Sequence, residues 1–128
     1  MTRLIAPMLA AVALAGCASN SEPMPAEGGC NVTVVFGSYA MGIDSETFQQ
    51  VDAWVERRTD LVPHTTTSTW GREGEKTMCL TTLSPAATRQ VYAAIEKMIP
   101  RTSRRGPVEV KDDTGRSFQS KMPAEMAR

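Results

Sequence analysis

Residues 50–57 read QVDAWVER and residues 90–97 read QVYAAIEK. Four of the eight positions are identical and two more are conservative. Two amphipathic helices of equal size can look alike without common descent, so the echo alone leaves a doubled unit open. What flanks each copy decides the fold. The first copy lies in DSETFQQVDAWVERRT, residues 44–59, where Phe48, Val51 and Val55 recur at helical spacing with Trp54 beside them. Asp44 or Ser45 can cap this helix, and Glu46 suits its positive end. The second copy follows Ser84-Pro85, a capping residue and then a proline at the first helical position. It places Ala87, Val91, Ile95 and Met98 on one face, and Pro100 ends it.

The intervening segments read as strands. CNVTVVF, residues 30–36, alternates and is rich in β-branched side chains. GSYAMGID then forms a loop. Beyond Pro63, the threonine-rich HTTTSTW, a glycine-bearing turn GREGE and the returning KTMCLTTL read as one hairpin over 64–83. After the second helix come a basic loop, RTSRRG, and a short strand, PVEV. The turn KDDTG follows, with RSFQS (116–120) as an extra C-terminal edge strand. Residues 121–128 read as a frayed end. The order βαββαβ over residues 30–120 gives one α+β domain. It resembles a ferredoxin-like sandwich, with two helices on one face of an antiparallel-type sheet. In such a sheet we expect the first and third strands to be parallel neighbours.

Length and charge narrow the classes. The 128 residues suffice for one small domain, and 14 Lys plus Arg balance 14 Asp plus Glu. That balance argues against a dedicated nucleic-acid binder. With only 5% aromatic residues, the core must be mostly aliphatic.

The N-terminus has the layout of a secretory leader: MTR carries a charge, and the apolar LIAPMLAAVALAG follows. The apolar run is too short to span a bilayer comfortably. It ends Leu14-Ala15-Gly16-Cys17, which resembles the bacterial lipobox. That resemblance implies a signal peptide over 1–16, cleavage before Cys17, a diacylglyceryl group on its sulfur and an acyl chain, palmitate for instance, on the new amine. Ala18, in place of an aspartate, implies the inner leaflet of the outer membrane, facing the periplasm. One acyl chain holds a protein only marginally, but several on one cysteine hold it durably. Residues 18–29, ASNSEPMPAEGG, lack apolar periodicity and read as a flexible tether behind the lipidated Cys17. Such a tether averages about 20 Å end to end and extends to about 40 Å.

Cys30 and Cys79 remain once Cys17 is lipidated. An oxidising compartment permits a bridge between them. Cys30 begins the first strand and Cys79 is read in the early half of the third, which on a parallel pairing sets both near one end of the sheet. Two buried free thiols, or a Cys30 left in the tether, are the alternatives. One histidine and two cysteines without ligand spacing give no metal site, and no cofactor motif is present.

Three stretches carry candidate chemistry. FGSYAMGID joins a strand to a helix and offers Ser38, Tyr39 and Asp44 to a ligand, against the alternative of a plain connecting loop. RTSRR offers Arg101, Arg104 and Arg105 to an acidic partner surface or anionic lipid, against a solvated loop. HTTTSTW offers an edge for strand addition, against an ordinary polar sheet face. The triplet Asp113-Thr114-Gly115 reads as a hairpin turn with Gly115 left-handed, and His64 as a surface residue on an edge strand. No catalytic residue is assigned. The expectation is a lipid-anchored, non-enzymatic binding or accessory module of the bacterial envelope, attached through Cys17 and contacting an envelope protein. The alternatives are a small hydrolase or transferase, or a small-ligand sensor, using the 37–44 loop.

Overall fold

A computed structural model describes residues 29–127. The stretches read as leader, lipobox with Cys17 and tether, up to residue 28, lie outside the described residues. The described chain runs β1 (Val32–Phe36), α1 (Ser45–Arg57), β2 (His64–Trp70), β3 (Glu75–Thr81), α2 (Pro85–Met98), β4 (Val108–Asp112), β5 (Ser117–Gln119) and a 3-10 turn at Ala124–Met126. The five strands form one antiparallel sheet in the order β2-β3-β1-β4-β5. It is a mixed α+β fold.

The helices start where their caps require. Asp44 Oδ1 accepts the Thr47 amide at 3.1 Å, and Ser84 Oγ accepts the Ala87 amide at 3.1 Å. Each removes one orphan donor from a helix start. Val32, Val34 and Phe36 of β1, Met78 and Leu80 of β3, and Val108 and Val110 of β4 are buried. Alternation puts them all on one sheet face. There they join Val51 and Val55 of α1 and Val91, Tyr92 and Ile95 of α2 in a single core. Both helices therefore cover the same face. The echoed positions Val51 and Val91, and Val55 and Ile95, are buried equivalently. Phe36 meets Phe48 edge to face at 5.2 Å between ring centres. Lys76 Nζ lies 5.5 Å from the centre of the Phe48 ring.

β1 and β3 are antiparallel, not the parallel neighbours the sequence argument assumed: Val32 lies opposite Leu80 and Phe36 opposite Lys76. The cause is the tight β2–β3 turn. The α1 crossover brings β2 in parallel to β1, and the hairpin then reverses the chain into β3. The start of β1 thus meets the end of β3. Cys79 also falls in the later half of Glu75–Thr81, not the early half. The two errors cancel, and Cys30 and Cys79 do lie at one end. They are joined as a disulfide with a Cα–Cα distance of 5.2 Å.

Among the described residues, no helix lies over the other sheet face. Alternation assigns it Thr33 of β1, Thr66 and Ser68 of β2, and Thr77 and Cys79 of β3. Trp70 Nε1 donates to Thr77 Oγ1 across this face at 3.0 Å.

Candidate functional site

Two loops that sequence reasoning treats separately meet at one end of the sheet, the end at which β1 finishes and β4 begins. The Gly37 amide donates to the Pro107 carbonyl at 2.9 Å, and the Tyr39 amide to the Arg105 carbonyl at 2.9 Å. Gly106 makes this contact possible. A Cβ there would sit 1.9 Å from the Gly37 carbonyl oxygen, so only glycine lets the two backbones approach. Gly42 brings the same loop to the β2–β3 turn, where a Cβ would lie 4.0 Å from the Glu73 carbonyl oxygen. The tail completes the end. The Lys121 amide donates to the Arg101 carbonyl at 2.8 Å, and the Ser103 amide to the Lys121 carbonyl at 2.9 Å. The start of the segment expected to fray is therefore hydrogen-bonded to the arginine loop.

The polar groups proposed from sequence hold this loop in shape. Ser38 Oγ accepts the Ala40 amide at 3.0 Å and the Gly42 amide at 3.1 Å. Asp44, besides capping α1, accepts from Thr47 Oγ1 at 2.8 Å and from Ser103 Oγ at 3.4 Å. Tyr39 is engaged through its backbone. Arg105 Nη1 donates to the Met41 carbonyl at 3.3 Å. Arg104 forms an ion pair with Glu125. The backbone is strained at Ala40, whose φ of 126° belongs to a region that L residues rarely adopt. The next residue, Met41, is 80% exposed.

Sequence reasoning missed two features. The first is the set of exposed large apolar side chains: Met41, Trp70 (44% exposed), Leu83 (65% exposed), Met122 and Met126. Nothing in a pattern of apolar residues marks which of them the fold leaves uncovered. The second is an electrostatic cluster at the opposite end, where Cys30 joins the domain. Asp112 keeps only 2% of its side chain exposed. It accepts from the Thr114 amide and hydroxyl, the Arg116 amide and Arg116 Nε. Burial pushes the carboxyl pKa up, but these hydrogen bonds outweigh it and hold it below the ordinary aspartate value. Arg116 also lies over the Tyr92 ring, 3.9 Å from its centre. Gly115 closes the turn with φ 91°, as the sequence reading of Asp113-Thr114-Gly115 expects.

Beside this cluster a groove of about 640 Å³ runs along the start of α2, lined by Asn31, Thr82, Ser84, Thr88, Arg89 and Arg116 among others. Most of its polar groups have internal partners. Ser84 caps α2, and the hydroxyls of Thr82 and Thr88 bond each other at 2.6 Å. Asn31 accepts the Thr82 amide at 2.8 Å and donates to Asp113 at 3.1 Å. His64 is exposed on β2. Among the described residues, no group of three or more His, Cys, Asp or Glu side chains gathers to hold a metal ion. Nor is any described helix long and apolar enough to cross a membrane.

Comparison with protein-family models, with curated proteins and with solved structures finds no match for this chain.

Proposed function

We propose that this chain is a lipid-anchored, periplasm-facing binding or accessory module of the bacterial envelope, attached through Cys17 and acting without catalysis. The lipobox resemblance supports the anchor. The observation that carries the binding role is the polarity of the domain. The tether side enters at Cys30, fixed to β3 by the disulfide. The Ser38–Asp44 and Arg101–Arg105 loops are knitted together at the far end. A domain held by one end offers the other to a partner. The catalytic alternative draws less support, because Ser38 and Asp44 already serve as backbone acceptors and caps. We also assign the domain to the ferredoxin-like type. The order β2-β3-β1-β4 with both helices on one face supports this, and β5 is an added edge strand.

The test compares the anchored chain with a Cys17→Ser variant after general crosslinking in intact cells and purification from the envelope. A partner near stoichiometry with the anchored chain, lost or reduced with Cys17→Ser, is the expected result. Turnover of an envelope substrate that disappears in Ser38→Ala with folding intact would overturn it in favour of an enzyme.

A further inference from the structure

We infer that β2 is a pairing edge for a second copy of this chain, which extends the sheet across a two-fold axis at Thr67. The inference stands apart from the anchor and from the partner reading above. β2 closes one edge of the sheet, with only β3 beside it. Every second residue of an edge strand turns its backbone N–H and C=O outward. Among the described residues, no backbone group outside β3 meets those of 64–70. The devices that blunt an edge are missing. The seven residues pair with β3 in unbroken register, without a bulge, and they include no proline, lysine, arginine or carboxylate. No element covers the strand: Thr67 and Thr69 lie on the helix side, with Met78, yet are exposed, and the core draws nothing from β2. Trp70, its largest side chain, turns inward to Thr77 Oγ1 at 3.0 Å. The opposite edge, β5, is only three residues long and follows Arg116.

The strand's own symmetry argues for a second copy as the occupant. Antiparallel pairing about Thr67 sets that residue opposite its copy, Thr66 opposite Ser68, Thr65 opposite Thr69 and His64 opposite Trp70. Positions 65–69 all carry hydroxyls, so each meets a hydroxyl, a pairing that stabilises antiparallel neighbours. A two-fold axis brings any charge near it against the same charge, and β2 carries no Lys, Arg, Asp or Glu. The flanking charges are of both signs: Arg58 pairs with Asp60, and Arg72 and Glu73 are neighbours in the turn. This register also keeps the faces aligned, with both helix layers on one side and both threonine-rich faces on the other. Self-pairing requires a match at every one of these positions; an unrelated strand does not.

The test introduces single cysteines into the full-length chain and oxidises them in isolated membranes, with the unsubstituted chain as background. Thr67→Cys should give a covalent dimer, because opposed Cβ atoms lie about 5 Å apart. Thr65→Cys and Thr69→Cys should each give little alone, since each is offset from its own copy by about 14 Å. Expressed together, they should give the mixed dimer. Thr67→Lys sets two like charges against each other at the axis. It should raise the dissociation constant of the detergent-solubilised chain more than about tenfold, read by analytical ultracentrifugation, with an unchanged circular dichroism spectrum. Equal dimer yields at 65, 67 and 69 would show random collision and overturn the register. A dimer through Gln119→Cys but not Thr67→Cys would overturn the assigned edge. A Thr67→Cys adduct with a different protein would overturn the second copy as occupant. A chain that stays monomeric in every variant would overturn the inference as a whole and leave the binding-module reading standing.

Discussion

Breaking the Cys30–Cys79 bridge should weaken this domain severely without changing its fold. Cys30 lies just ahead of β1, outside the helices and strands, so freeing it loosens little of the folded structure. The unfolded chain, in contrast, is closed by the bridge over a sequence separation of 49. The chain-entropy relation for a loop of that size gives about 4 kcal/mol at 25 °C. A domain of this size is stable by roughly 5–15 kcal/mol in total, so the loss is a large fraction. It corresponds to a fall in melting temperature of about 15–30 °C. The assay is urea unfolding of the soluble domain, oxidised and then reduced, followed by far-UV circular dichroism. The native spectra should coincide. The reduced form should have the lower midpoint and the steeper denaturant dependence, because its unfolded chain is less compact. Oxidised and reduced stabilities within about 1 kcal/mol of each other would refute the reasoning, since the chain-entropy term would then be absent.

Other consequences are equally measurable. Gly106→Ala should cost about 3 kcal/mol or more, because its Cβ meets backbone that cannot yield. Gly74→Ala should cost only about 1 kcal/mol, since the site is open and only its φ of 76° is at odds with a side chain; paired denaturation curves check both. Relief of strain predicts that Ala40→Gly stabilises the domain by about 1 kcal/mol, read as a raised melting temperature. Asp112 has a folded pKa below the 3.8 of its free form, so the unfolded state binds more protons in that interval. Its stabilising contribution should be complete above about pH 4 and fall away as the pH drops through the folded value. Asp112→Asn should flatten that part of a stability-against-pH curve, and an unchanged slope would count against the assignment.

The two helices and the β2–β3 hairpin were legible because local chemistry dictates them. Ser84-Pro85 and Asp44 cap as written, and the alternation in VTVVF marks the buried face of β1. The antiparallel relation of β1 and β3 follows from that same hairpin: the α1 crossover sets β2 parallel to β1, and the turn at Gly71–Gly74 reverses the chain into β3. The expectation of parallel neighbours took the strand order of the fold without following the chain through that turn. Of the candidate site, sequence supplies Ser38, Asp44 and the arginine loop as separate stretches. Their meeting depends on Gly106 lying against Gly37, a contact across 69 positions of sequence that no local pattern encodes. The apolar members, Met41 and Trp70 among them, were invisible because exposure is a property of the finished fold. In sequence Asp112 is only one residue of a turn, and nothing local marks that Arg116 folds back to pair with it and lies over the Tyr92 ring.

The proposed anchor on Cys17 would give the domain its two ends, one held and one free, so its chemistry is the most direct test. The measurement is intact-mass and N-terminal peptide analysis of the mature chain purified from bacterial membranes. The account predicts a chain that begins at Cys17 and carries a diacylglyceryl group on sulfur and an acyl group on the amine, with Cys17→Ser unmodified and uncleaved at that bond. A mature chain that begins elsewhere, or that begins at an unmodified Cys17, would contradict it.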